Sequence, residues 1–123
     1  MHEESHQFLA WLEFCVSRVK DFEAEIKKQL ALDDEEAYKQ TLLDKAMFIA
    51  SLAKEGQAYL HALKEGDREF VKDNLANFSE HADWALKLKS YFYMSALLYP
   101  DEHRPGAPNY LDVFAAEMRG RLA

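Results

Sequence analysis

The chain has 123 residues, 49% of them hydrophobic and 30% charged. That is the length of one domain, able to bury a core without disulfides or a structural metal, and too apolar for a disordered chain. A net charge of −7 disfavours nucleic acid, whose phosphates bind through Lys and Arg. No apolar run reaches the roughly 18 residues of a membrane span, so no membrane partner is expected. The lone Cys15 cannot close an internal disulfide, and His2-Glu3-Glu4 lacks the basic opening of a secretion signal. The expectation is a soluble, cytoplasmic protein.

The first helix is predicted over about 4–30. Phe8, Leu12, Cys15, Val19, Phe22 and Ile26 recur at spacings of three and four, with Leu9, Val16 and Leu30 widening the stripe. Asp33-Asp34-Glu35-Glu36 then marks a helix start, with Asp33 as N-cap and Glu36 completing a capping box. These acids lack the glycine and distal glutamate of a calcium loop.

The second helix is predicted over 34–65, with Leu42, Ala46, Ile49, Ala53, Gly56, Leu60 and Leu63 on its inner face. The small residues at 46, 53 and 56 predict close approach by a neighbour with bulky side chains. Gly66 suits the left-handed position after a helix, and Asp67 suits the next N-cap. A third helix is expected over 67–99, striped by Val71, Leu75, Phe78, Ala82, Ala85, Leu88, Phe92 and Tyr99. Its second half, from Ala82 to Tyr99, has no clean polar side and needs cover from several directions. A proline-rich linker, 100–108, carries Asp101, Glu102, His103 and Arg104, and Asn109 caps a short helix over 109–122.

These elements predict an all-α fold: an up-down-up bundle of three long antiparallel helices plus one short C-terminal helix, in a single domain over 1–123. The short helix covers about half the bundle. It is expected beside the aromatic half of the third helix, leaving Trp11, Phe14, Tyr59 and Phe70 beside a vacant fourth lane. Those four, with Trp84, Tyr91 and Tyr93, are the expected partner-binding residues. The expected partners are a second copy of the chain, in a homodimer, and another protein.

Other residues carry candidate chemistry. His2-Glu3-Glu4-Ser5-His6 matches the HExxH pattern in which two histidines on one helical face hold zinc. It opens the sequence, so a frayed polar terminus is expected there and not a substrate cleft. Pairing the first two helices about their turn sets His2 and His6 beside His61 and Glu65. A bundle holding a transition metal between such residues loosely resembles the hemerythrin and ferritin-like style of site. That is the alternative function; otherwise no cofactor is predicted.

His61-Ala-Leu-Lys64-Glu-Gly66 resembles the His-x-Leu-Lys-Gly stretch of histidine phosphotransfer domains, with the glycine one residue late. His81, between Phe78 and Ala85, is expected inside the bundle near Cys15. A buried Cys15–His81 pair would make a reactive thiolate; core filling is the plainer reading. No catalytic residue is assigned, and the leading reading is an adaptor, accessory or regulatory protein working through an aromatic helical face.

Overall fold

The computed structural model describes residues 3–100 and 107–123, with side chains from Ser5 onward. Every regular element among the described residues is helical. Helix α1 spans Glu3–Ala31, α2 Glu35–Ala50 and α3 Leu52–Gly56. A 3-10 stretch covers Gln57–Ala62, followed by α4 Glu65–Lys87, α5 Tyr91–Ala96 and α6 Tyr110–Arg121. The linker residues Asp101, Glu102, His103 and Arg104, like His2, lie outside the described residues.

The periodic stripes become the core. Phe8, Leu12, Cys15, Val19 and Phe22 of α1 are buried with Leu42, Ala46 and Ile49 of α2. Val71, Leu75, Phe78, Ala82 and Ala85 of α4 join them, as do Leu111, Phe114, Ala115 and Met118 of α6. Leu30 falls past the end of this core and is exposed. The close approach expected at position 56 is present: a Cβ on Gly56 would lie 2.4 Å from Leu75 Cδ1 and 3.2 Å from Trp11 Cη2.

The long helices are less continuous than periodicity suggests. The second breaks at Ser51, where a side chain of α4 enters the helix. The Ser79 hydroxyl donates to the Ile49 carbonyl (3.0 Å) and accepts from the Ala53 amide (2.9 Å). Those two backbone groups are four residues apart, so the hydroxyl occupies the place of one helical bond and bends the path. The 3-10 stretch then ends at an extended Leu63. Arg68 holds that end by donating to the Leu60 and Leu63 carbonyls at 3.1 and 2.9 Å.

Three boundaries differ from the sequence reading for identifiable reasons. Asp33 closes α1 in the left-handed region, with φ 53°. The Asp34 amide bonds Gln29 O and the Asp33 amide bonds Leu30 O, the paired reversed bonds of a Schellman ending. Asp34, not Asp33, is therefore the N-cap of α2, accepting from the Ala37 amide. At the next joint α4 begins at Glu65 after an extended Lys64, so Gly66 is an exposed first-turn residue and not a helix terminator.

The third boundary matters most. The expected helix over 67–99 stops at Lys87. Lys89 is left-handed (φ 52°), and the Ser90 amide reaches Ala85 O while the Lys89 amide reaches Leu86 O. Ser90 then caps α5, its hydroxyl accepting from the Tyr93 amide at 3.1 Å. Past this turn the stripe no longer points inward, and Phe92 is 75% exposed.

The short last helix also lies at the other end of the bundle from the expected one. Its Asn109 cap forms as read, with Asp112 completing the box. Asp112 sits 3.9 Å from Lys20, and Arg119 pairs with Glu13. Arg121 pairs with Asp67 at 3.0 Å, and the Phe114 ring stands 5.8 Å from both Phe70 and Phe78. Helix α6 therefore covers the Phe70 half.

Candidate functional site

Beyond the first residue of α6, a groove of about 430 Å³ opens between α4 and the chain that follows its break. Helix α4 supplies one wall through Asn77, Phe78, His81, Trp84, Ala85 and Leu88, which recur at helical spacing along one face. The opposite wall is Tyr93 and Ala96 of α5 with Leu97, Leu98 and Tyr99, and Tyr110 of α6 closes one end. Leu98 takes a left-handed φ of 73°, and its carbonyl accepts from the Tyr110 amide at 2.7 Å. That bond ties the end of α5 to the start of α6.

The second wall is anchored from behind by a charged network. The Tyr99 hydroxyl donates to Glu23 Oε1 at 2.8 Å, and Lys45 Nζ lies 3.4 Å from Glu23 Oε2 and 6.0 Å from the Tyr99 ring centre. Lys45 is only 1% exposed. Burial pushes its ammonium below the ordinary value, and the Glu23 carboxylate pulls the other way by charge and hydrogen bond. Burial, reinforced by the Glu23 hydrogen bond and charge, raises the Tyr99 hydroxyl to about 12. Neither Lys45 nor Tyr99 is among the expected site residues. A signal existed for Lys45, which falls with Leu42, Ala46 and Ile49 on one helical stripe.

Outside the groove the rings continue. Leu88 and Trp84 are each 54% exposed, Tyr93 53%, and Phe92 packs edge-on to Tyr93 with centroids 5.7 Å apart. Lys87 sits 5.5 Å over the Trp84 ring and Lys39 5.4 Å over the Tyr91 ring. Trp84, Tyr91 and Tyr93 therefore share one end of the bundle.

The other four expected partner residues do not form the open face foreseen for them. Trp11 stacks on Tyr59 at 5.4 Å and lies against Phe8, both rings half-buried. Phe70 is covered by α6, with Phe114 on one side and the Arg121 guanidinium 4.0 Å from its ring centre. Phe14 remains exposed and touches Phe48 edge-on at 6.5 Å. For Phe70 the reason is the placement of α6; for Trp11 and Tyr59 it is their packing on each other and on Phe8.

The candidate chemical groups are dispersed. Ser5 Oγ donates to Ala62 O at 3.4 Å, so α1 does begin beside the 3-10 stretch. His6, His61 and Glu65 are all exposed there, and among the described residues no three His, Cys, Asp or Glu side chains are placed to hold a metal. His61 belongs to the 3-10 stretch and not to the middle of a helix. His81 is exposed on the groove rim and not in the core, because the buried stripe runs through Phe78, Ala82 and Ala85 and leaves position 81 to its side. Cys15 is buried with its thiol pushed up to about 12 by burial and by the Glu55 charge. Cys15 and His81 do not share the core, since Cys15 is buried and His81 is exposed.

Among the described residues no helix is long and apolar enough to cross a membrane. No protein-family model, curated protein or solved structure matches the chain.

Proposed function

We propose that this chain is a helical-bundle interaction module that works through the rings at the α4–α5 end, first with a second copy of itself and then with another protein. The observation that carries the reading is the exposure of Trp84, Leu88, Tyr91, Phe92 and Tyr93 at one end of the bundle. Aromatic side chains bury roughly 150–250 Å² each, so the four rings at about half exposure offer roughly 400 Å², and Leu88 brings the patch to roughly 500 Å². That is the size of a functional surface patch and about two-thirds of one partner's share of a standard interface, with the polar rim supplying the rest.

An up, down, up path with α6 descending in the fourth lane is supported by the side-chain pairs. Lys45 meets Glu23 while Ala62 meets Ser5, Ile49 meets Ser79 while Gly56 meets Leu75, and Arg119 meets Glu13 while Asp112 meets Lys20. In each pair of neighbours the numbering rises on one helix as it falls on the other. The frame presents the ring-bearing end as an adaptor or regulatory surface.

Sedimentation velocity from low to high micromolar concentration tests the reading. The native chain is expected to shift from monomer to dimer, and Phe92→Glu to remain monomeric while keeping its helical circular dichroism. A native chain that stays monomeric throughout, or an equally dimeric Phe92→Glu, removes the proposal.

A further inference from the structure

The groove behind the exposed rings has a character of its own. Three dimensions of it decide what it can hold: volume, charge and the placement of its polar atoms. A helix lying along Asn77–Leu88 would occupy on the order of 1300 Å³, taking a diameter of about 10 Å and a rise of 1.5 Å per residue. The groove offers about 430 Å³. It is too small for a partner helix and falls in the lower part of the roughly 300–1000 Å³ range of small-molecule sites.

Among the described residues its lining contains no Asp, Glu, Lys or Arg, in a chain that is 30% charged. An ionic guest would lose its hydration there and meet no counter-charge, so charge complementarity selects an uncharged one. The walls are ring-rich: Phe78 and Trp84 face Tyr93 and Tyr99 across the groove. Two polar side chains, Asn77 and His81, stand one helical turn apart on the same wall, and neither bonds another described residue. They give a guest one polar edge to meet.

We infer that the groove is a binding site for an uncharged, planar aromatic small molecule of two or three rings. Its ring system lies between Trp84 and the Tyr93–Tyr99 wall, and one donor or acceptor faces His81 and Asn77. Trp84, Leu88 and Tyr93 belong both to the groove and to the proposed association surface, whereas Phe92 belongs to that surface and does not line the groove. The Tyr99 wall is held in place by Glu23 and Lys45 from the far side.

The test is a fluorescence titration of the full chain with N-phenyl-1-naphthylamine, a neutral aromatic amine whose emission rises in apolar surroundings. The expected result is saturable binding of one molecule per chain, with a dissociation constant on the order of 10–100 µM for so small a guest in a half-open site. Trp84→Ala is expected to weaken binding at least tenfold, His81→Ala about threefold, and Ala96→Phe, which fills the groove from the α5 wall, to abolish it. Phe14→Ala should bind as the native chain does. Absence of saturable binding, several molecules bound per chain, or undiminished binding by both Trp84→Ala and Ala96→Phe overturns the inference. A monomeric protein that still binds the probe overturns only the association reading.

Discussion

Replacing Ser79 by alanine removes a hydroxyl that stands in the middle of another helix. Ser79 is 6% exposed, and its oxygen serves both Ile49 O and the Ala53 amide. Each backbone group left buried and unpaired costs about 1–3 kcal/mol. Loss of both would cost about 2–6 kcal/mol if nothing moved. The two orphans are the donor and acceptor of one ordinary helical bond, however, so a partial straightening of α2 into α3 can rejoin them. Leu52 (1% exposed) and Gly56, packed against Leu75, resist that movement. The expected net loss is about 2 kcal/mol, which for a chain of this length lowers the melting temperature by about 6–10 °C. Thermal and urea unfolding of Ser79→Ala measure it, with Ser95→Ala, which removes only an exposed hydroxyl bonded within α5, as control. Amide exchange at Ala53 should accelerate in the same variant. A Ser79→Ala melt within about 1 °C of native refutes the claim that the hydroxyl holds the break.

Three other outcomes follow from the same contacts. Lys45→Met leaves the Glu23 carboxylate without its cation and is expected to cost about 2–3 kcal/mol, less than a fully buried pair because Glu23 keeps some contact with water. Lys45→Met with Glu23→Gln should recover most of that loss in urea unfolding, and a double variant as unstable as the single refutes the pairing. Cys15 and Tyr99 are acids whose folded values, about 12, exceed their ordinary 9.0 and 10.0. Their contribution to stability is therefore complete below about pH 9 and drains away as pH rises towards 12; Lys45, shifted down, acts in the opposite sense. Melts at stepwise alkaline pH should fall in that window, folded Cys15 should resist thiol reagents at pH 8, and Tyr99→Phe should remove a phenol that titrates at about 12. Finally, Gly66→Ala should raise stability by about 0.5 kcal/mol, since a Cβ added to this first-turn helical glycine meets nothing within 4 Å and gains only propensity; a loss would restore the glycine-terminator reading.

The all-helical class and the buried stripes were legible because apolar side chains at spacings of three and four have one solution in water. The Asn109 cap was legible for a similar reason, a short polar side chain before a helical run. What could not be read was where helices stop without glycine or proline. Asp33 and Lys89 both adopt the left-handed conformation that sequence arguments assign to glycine, and each is held by a Schellman pair of backbone bonds. No side-chain pattern announces bonds between main-chain atoms. The Ser79 insertion was equally hidden, because it is a contact between a serine and a backbone twenty-six residues away.

These invisible stops decide the site. Had α4 run on through Lys89, Phe92 and Tyr99 would have continued its inner stripe, and the lane beside them would have needed α6 to cover it. Because the chain turns at Lys89, α5 and the Leu97–Tyr99 segment come back to face α4 themselves. Helix α6 lies against the opposite half, where Phe114 seats between Phe70 and Phe78. The composition of Ala82–Tyr99 foretold surplus rings. Its placement around a groove, with some rings inside and Phe92 outside, comes from a single left-handed lysine, whose conformational cost of roughly 1–2 kcal/mol is offset by the two bonds that close the helix.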